Sequence, residues 1–481
     1  MLLNYQYRAY PETAQKLKLN NWLRICRYWY NYQIGDRFDW WQFNRSSINA
    51  CPLTCSIRGL KNRPDYYSQK KQLPILKKNL LKVSHSGELL DFADVPSQTL
   101  QDVSKRAALA FQRFIRGDKN GKRSGKPRFK NTARYRTMKF ESNAIAIKQV
   151  TKKWLFLSVS KLDRLLRVRL HRPLPNGFKL KNAMISKKAD GWYVTLCLED
   201  KTVPHFIPDE IEPTWDNSIG MDAVLHENDY LATSDGIKLP SLKSFRFSEN
   251  KLAKVANRKS SKKKGSKARR KLAHSEAKIH QRIARSRRDH AFKTAHALVN
   301  TGKKVFIRED LNLKSLSKRN KAKQDEKGNY LPNGQSTRSG LNKSWLDAAF
   351  GQFFEVLEYI AEKAHRPRRG FLGVRTEQEA GARIMAVKPA YTSQLLSYRD
   401  DFVFTDCDIR EYWDDREWLY IDRDINAAIN IKRVGLGLFP TIKRRKGNRV
   451  VKASTTNSTS KEVLDILRGC QKPTLYAQAS V

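Results

Sequence analysis

Ile421-Asp-Arg-Asp-Ile-Asn-Ala-Ala-Ile-Asn-Ile431 sets two acids, two residues apart, against the start of a run of small and apolar residues. The run has helical character, and an acid in its first turn lies on the positive end of the helix dipole. One reading is local: Asp424 caps the helix by accepting from the backbone N–H groups of Asn426 or Ala427. The other is chemical and depends on acids elsewhere in the chain.

Two such acids stand upstream. Ser218-Ile-Gly-Met-Asp-Ala-Val-Leu225 reads as a strand with Asp222 inside it, and Tyr230-Leu-Ala-Thr-Ser-Asp-Gly236 supplies a hairpin mate. Lys303-Lys-Val-Phe-Ile-Arg-Glu-Asp-Leu-Asn312 reads as a further strand ending in acids, with Glu309 at the end. An acid inside an apolar strand is costly to bury unless it is paired or binds a cation. Three clustered carboxylates repel one another without metal. With two hard cations about 4 Å apart, they would activate a water and stabilise the leaving 3′ oxygen of a phosphodiester. Strand-end acids of purely structural role are the competing account.

Lys and Arg outnumber Asp and Glu by 94 to 47 over 481 residues, a net charge of +47. That excess costs self-repulsion, and a polyanionic partner is the usual reason for keeping it. Hydrophobic residues make up 40% and aromatics 10%, which places the charge on a folded body rather than a disordered basic tail. Nucleic acid is the expected partner. A membrane is not, because no long uncharged apolar run is present. The N-terminus lacks the pattern of a signal peptide. Six scattered cysteines point to a reducing, cytoplasmic compartment. Only Cys51 and Cys55 lie close, as half of a metal site or as two ordinary loop thiols.

Along the chain, Asn4 to Tyr10 reads as a strand, and Pro11 opens a helix through Leu17, Trp22, Ile25 and Trp29. Its aromatics serve core packing, with base stacking as the functional alternative. A second helix begins at Ser97. The stretch from Gly117 to Lys130 is glycine- and lysine-rich, flexible and cationic, and makes Lys126, Arg128 and Lys130 candidates for phosphate contact. Alternating strands between Trp154 and Leu198 predict a small β-barrel or sandwich. Residues 249–300 form a basic helical segment broken near Gly265, whose Lys262, Lys263, Lys264, Arg269 and Arg270 are further nucleic-acid candidates. Residues 314–342 are polar and expected to be mobile, and Trp345 to Ala364 predicts one amphipathic helix with Leu346 on its apolar side.

The motifs resemble those of the TnpB (OrfB) proteins of insertion sequences, relatives of type V CRISPR effectors. The matching stretches are Tyr7-Arg-Ala-Tyr-Pro-Glu-Thr-Ala-Gln15, Ala110-Phe-Gln-Arg-Phe114, Gly125-Lys-Pro-Arg-Phe-Lys130, Gly220-Met-Asp222, Ala232-Thr-Ser-Asp-Gly236, Glu309-Asp-Leu-Asn312, Tyr391-Thr-Ser-Gln394 and Asp422-Arg-Asp-Ile-Asn-Ala-Ala428. The resemblance implies a multidomain α+β chain. It gives a wedge β-barrel from 1–10 and 120–213, and a helical recognition domain over 11–119. A RuvC-like RNase H fold follows over 214–391 and 421–440, interrupted at 392–420 by a ribbon insert. Residues 441–481 are left as a basic, mostly disordered tail, ordered only near 461–467. The resemblance assigns Asp222, Glu309 and Asp424 as catalytic residues and Mg2+ ligands, with Asp422 as local support. It implies an RNA-guided DNA endonuclease that cuts double-stranded DNA beside a short target-adjacent motif. Its partners would be a guide RNA from the element's own end, a double-stranded DNA target and a separate transposase of the same element.

Two departures stand out. The family's ribbon carries two Cys-x-x-Cys pairs, whereas here the first pair's positions hold Leu396 and Arg399 and the interval contains only Cys407. One thiolate cannot build a tetrahedral site, so zinc is not expected, and packing around Leu395, Phe402, Phe404, Trp413 and Tyr420 would hold the segment. The chain also carries an insert at 365–383. The alternatives to guided cleavage are a cleavage-deficient guided DNA-binding protein and a transposase acting directly in strand transfer.

Overall fold

The structure, a computed structural model, describes residues 2–46, 62–84, 86–118, 120–202, 207–226, 228–364, 381–388, 390–403, 409–445, 448–451 and 460–470. Cys51, Cys55, Phe404, Cys407 and most of the insert at 365–383 lie outside these. The chain forms two compact units, Met1–His205 and Phe206–Val481.

In the first unit, β1 (Leu2–Ala9) leads into the long helix α1 (Thr13–Ser46). Short elements α2 (Tyr66–Lys70), α3 (Leu73–Leu76) and the hairpin β2 (Leu81–Lys82) with β3 (Leu89–Leu90) follow, then α4 (Ser97–Ile115). Six strands complete the unit: β4 (Thr137–Glu141), β5 (Ile145–Val150), β6 (Trp154–Val159), β7 (Leu166–Arg169), β8 (Lys179–Lys188) and β9 (Gly191–Glu199). They pair in the order β4-β8-β9-β1-β7-β6-β5, antiparallel throughout. Laid flat, seven strands would separate the outer two by about 29 Å. Yet β4 and β5 are consecutive, and the backbone from Glu141 to Ile145 spans at most about 14 Å. The sheet must therefore curl until its edges approach.

Trp22, Ile25 and Trp29 of α1 are buried against α4 and the sheet, while Leu17 is exposed. Trp29 Nε1 donates to the Leu100 carbonyl and to Ser104, satisfying the one polar atom of a buried indole. The stretch 117–130 is less free than its glycines suggest. Lys130 and Asn31 exchange two hydrogen bonds of 2.8 and 2.9 Å, and the Phe129 ring lies 6.2 Å from that of Phe38. Its end is thus pinned along α1.

The second unit is built on a five-stranded sheet. Its strands are β10 (Ser218–Ala223), β11 (Asp229–Thr233), β12 (Lys238–Pro240), β13 (Val305–Glu309) and, after β14 (Lys323–Gln324) and β15 (Tyr330–Leu331), β16 (Arg383–Val387). The order is β12-β11-β10-β13-β16, with β10, β13 and β16 parallel. The connections carry α5 (Ser244–Ser260), α6 (Lys267–Val299), α7 (Leu313–Leu316), α8 (Gln335–Ala348) and α9 (Phe350–Ala364). Period-two alternation divides the sheet. Ile219, Met221 and Phe306 face α6 and α9, while Val305 and Ile307 face α10 (Arg423–Gly435).

The single helix expected from Trp345 is two helices broken at Ala349, whose φ is 54°. Asp347 is buried and accepts from the Phe245 and Arg246 amides at the start of α5, and from the Arg287 guanidinium. Breaking the helix lets α8 follow Asp347 while α9 keeps Phe350, Phe353 and Leu357 on the sheet. Leu346 is consequently exposed. The preceding polar stretch holds the β14–β15 hairpin. The C-terminal segment is also more ordered than its composition suggests. It contains the hairpin β19 (Ile442–Arg445) with β20 (Asn448–Val451), and helix α11 (Ser460–Gly469), whose Val463 and Leu467 are buried beside Ala232, Ile421 and Ile425. Apolar spacing on α11 outweighs the surrounding charge.

Candidate functional site

Gly220 decides where α10 lies. A Cβ at Gly220 would stand 2.1 Å from the Ala428 carbonyl oxygen and 2.7 Å from the Lys432 amide nitrogen. Only glycine admits this contact. Two residues along a strand advance about 6.6 Å, and four residues along a helix about 6 Å. With Gly220 against Ala428, the residue two onward, Asp222, lies alongside Asp424. The neighbouring strand adds the third acid, because Met221 is in register with Arg308 and Asp222 and Glu309 come next.

Their environments show the consequence. Burial first, then the carboxylates of Glu309 and Asp424, push the Asp222 carboxyl well above the usual range, with Arg423 pulling the other way. Burial pushes Glu309 up to about 7. Asp424 is buried and surrounded by bases: Arg423 at 3.4 Å, Arg410 at 3.6 Å and Lys238 at 3.6 Å. Asp422, not Asp424, is the helix cap, accepting from the Asp424 and Ile425 amides at 2.9 and 3.1 Å. That leaves the Asp424 side chain available for other work.

The three acids are electrostatic neighbours, yet among the described residues no three His, Cys, Asp or Glu side chains are gathered closely enough to hold an ion as they stand. Asp424 faces cations, whereas Asp222 and Glu309, both half-buried, are held above the usual carboxylate range and repel each other when ionised. Such a pair calls for a positive charge, and an all-carboxylate donor set suits a hard divalent ion.

The far face of α10 explains two motifs at once. Asn426 and Asn430, one turn apart and fully buried, donate to the Leu395 carbonyl at 2.8 and 2.7 Å, and Asn430 also reaches the Thr392 carbonyl. Arg433, three residues further, is buried and paired with Asp400 at 2.8 Å. The Thr392-Ser-Gln segment is thus docked by an i, i+4, i+7 polar stripe. This stripe was not singled out from the sequence, although its helical spacing within an apolar run was a legible signal.

Beyond it, Arg399 donates to both oxygens of buried Asp414 at 2.9 and 2.7 Å, and the Tyr398 hydroxyl donates to the same carboxylate. Burial would raise Asp414, but these bonds and the Arg416 amide hold it below its ordinary value. Leu396 is buried, as is Leu395. The packing set needs correction, however. The hairpin β17 (Glu411–Asp414) with β18 (Leu419–Asp422) turns Tyr412, Leu419 and Ile421 inward. Its alternation therefore leaves Trp413 and Tyr420 about half exposed, and Phe402 is only half-buried. We expect Asp414→Ala, which leaves the Tyr398 hydroxyl without its acceptor and Arg399 with Asp401 alone, to destabilise the protein by about 2 kcal/mol in thermal unfolding. Unfolding of the parent should be indifferent to a zinc chelator, and a chelator-induced drop in Tm would show that metal holds this segment.

The candidate phosphate contacts divide by environment. Lys262, Lys263 and Lys264 lie exposed in the turn between α5 and α6, and Lys126 and Arg128 are exposed, with Lys126 Nζ 4.4 Å from the Phe38 ring centre. Arg269 spends donors on the Lys259 and Lys262 carbonyls, both at 2.9 Å, and Arg270 on that of Gly265. These two arginines shape the turn. Replacing the three lysines by serine should flatten the salt dependence of RNA binding by roughly two in log–log slope. An unchanged slope would mean that the turn is merely solvated.

Residues 203–320 match the OrfB_IS605 family, described as probable transposase, and residues 1–46 match a family described as a helix-turn-helix domain. In this chain 2–46 is one strand and one continuous helix. A Streptomyces pristinaespiralis protein, provisionally named RNA-guided DNA endonuclease, is 27% identical over 74% of this chain and 73% of its own length. InsQ of Escherichia coli strain K12, provisionally named in the same way, is 28% identical over 74% of this chain and 78% of its own. Among solved structures, a Cas12f1–sgRNA–target DNA complex aligns over 87% of this chain and 83% of that one at 12% identity, with a TM-score of 0.45. The mini-RNA-guided endonuclease CRISPR-Cas_phi3 aligns over 68% and 65% at 13% identity, with a TM-score of 0.34. The protein is a multidomain α/β chain that carries an OrfB_IS605 domain over residues 203–320 and is similar, over 74% of its length, to proteins named as RNA-guided DNA endonucleases. No helix among the described residues is long and apolar enough to cross a membrane.

Proposed function

We propose that the chain is an RNA-guided DNA endonuclease whose second unit is a RuvC-type nuclease fold and whose curled sheet is a wedge barrel. The observation that supports the nuclease assignment is that Asp222, Glu309 and Asp424 lie within electrostatic reach of one another, at the ends of two parallel strands and the start of α10. These residues would hold hard divalent cations, Mg2+ by the all-oxygen donor set, which supply positive charge for polarising a phosphodiester and for lowering the pKa of a water.

The protein's own residues do the rest. Gly220 fixes the depth of α10, and Asp422 spends itself on the helix cap so that the Asp424 carboxylate is held at the site. Met221, Phe306 and the α6–α9 layer exclude water from below. The exposed lysines of the α5–α6 turn and of the 117–130 stretch supply sequence-independent attraction for RNA and DNA backbones. Base pairing with a guide from the element's end would then read the target, beside a short motif read by protein.

The test is to purify the protein with co-expressed RNA from the element's flank and offer a plasmid library with a randomised motif. Linearisation adjacent to one motif is expected. Tight guided binding without cutting would favour a DNA-binding role, the alternative suggested by acids that are not gathered into a ready site.

A further inference from the structure

Lys238 enters the site from the edge of the sheet. Asp222 pairs with Ala232, and Ala232 pairs with Lys238, so one row across three strands carries an acid, a small residue and a base. Directly paired residues share a face, and on this face Ala232 leaves space for the start of α10. The Lys238 ammonium lies 2.6 Å from Asp422 Oδ2, 3.3 Å from Asp229 Oδ2 and 3.6 Å from Asp424 Oδ2.

Each contact has a separate consequence. Asp422 uses Oδ1 for the helix cap and Oδ2 for Lys238, so the base also steadies the cap. Asp424 presents Oδ1 to Arg410 and Arg423, and Oδ2 to Lys238. A cation arriving at Asp424 must take one of these oxygens. Arg423 is tied in place, its guanidinium on the Ile409 carbonyl and its amide on the Arg410 carbonyl, both at 2.9 Å. Lys238 is the group that yields at least cost. Released from Asp424, it keeps Asp422 and Asp229 as partners, and its unbranched stem lets the ammonium move without the backbone.

We propose that Lys238 is an internal counter-ion of the acid site: it occupies Asp424 when no metal is bound and weakens divalent-ion uptake until it withdraws toward Asp229 and Asp422. This rests on the assignment of Asp222, Glu309 and Asp424 as metal ligands. Lys238 is a positioning residue, acting on the site through Asp424.

The test uses the full-length chain and Mn2+ as probe, followed by titration calorimetry and by loss of the free-ion paramagnetic resonance signal. Lys238→Met should tighten Mn2+ binding by about tenfold, the weakest effect expected when a full charge leaves a carboxylate's neighbourhood. Lys238→Arg, which keeps the charge, should stay near the parent. Circular dichroism melting without metal checks folding, and Lys238→Gln, which keeps a donor for Asp422, replaces the methionine variant if that one unfolds. Equal or weaker Mn2+ affinity in the neutral variants, with binding still abolished by Asp222→Asn, would overturn the role of Lys238 alone. Binding untouched by Asp222→Asn would overturn the metal-site assignment itself.

Discussion

Asp222→Asn is expected to reduce guided plasmid linearisation by on the order of a thousandfold while leaving RNA loading and target binding intact. The substitution keeps the size and removes the charge. Asp222 is half-buried, and its ionised form is opposed by desolvation and by Glu309 and Asp424, so at neutral pH it works against the metal-free fold. The sign follows from linkage: an acid whose folded pKa is raised contributes less stability as pH climbs through its unfolded value. Asn at this position should therefore hold or raise the melting temperature of the metal-free protein. Lost cleavage together with unimpaired stability is the signature of a catalytic residue. A merely structural acid would lose both or neither, and cleavage at the parent rate would falsify the assignment.

Gly220→Ala should be at least as damaging, by a different route. The new methyl would meet the Ala428 carbonyl at 2.1 Å and the Lys432 amide at 2.7 Å, both backbone atoms of a helix that cannot give way locally. Overpacking commonly costs about 1–3 kcal/mol, and a backbone clash belongs at or above the upper end. Relief requires lifting α10 off β10, which separates Asp424 from Asp222 and pulls Asn426 and Asn430 from the Thr392–Leu395 segment. A lower melting temperature and lost cleavage are expected together. Gly340→Ala is the control: its Cβ would meet nothing within 4 Å, and it lies inside α8. That change should be neutral or stabilising by up to about 1 kcal/mol. Equal melting temperatures for the two variants would show that α10 is not set by its contact with Gly220.

Much of this was written in local pattern. Short apolar runs marked the strands that carry Asp222 and Glu309, because a sheet buried on both faces needs apolar side chains on both. Helical spacing marked α1, α4 and α10, and the charge excess marked a polyanionic partner. Local pattern failed where a long-range contact outbid it. Asp347 broke a predicted helix at Ala349 in order to reach the start of α5. Tyr412 and Ile421 took the inner face of a hairpin whose aromatic outer face looked equally apolar.

The opening stretch shows the same division. Sequence alone determined that 421–431 starts a helix with two acids at its head, since capping and helical spacing act over a few residues. Only the tertiary structure decided which acid caps and which faces Asp222. That choice depends on the close approach of α10 to Gly220 and on the reach of Lys238 from a strand two places away. Contacts between residues that are distant in sequence are selected by packing and charge in three dimensions, and no local spacing records them.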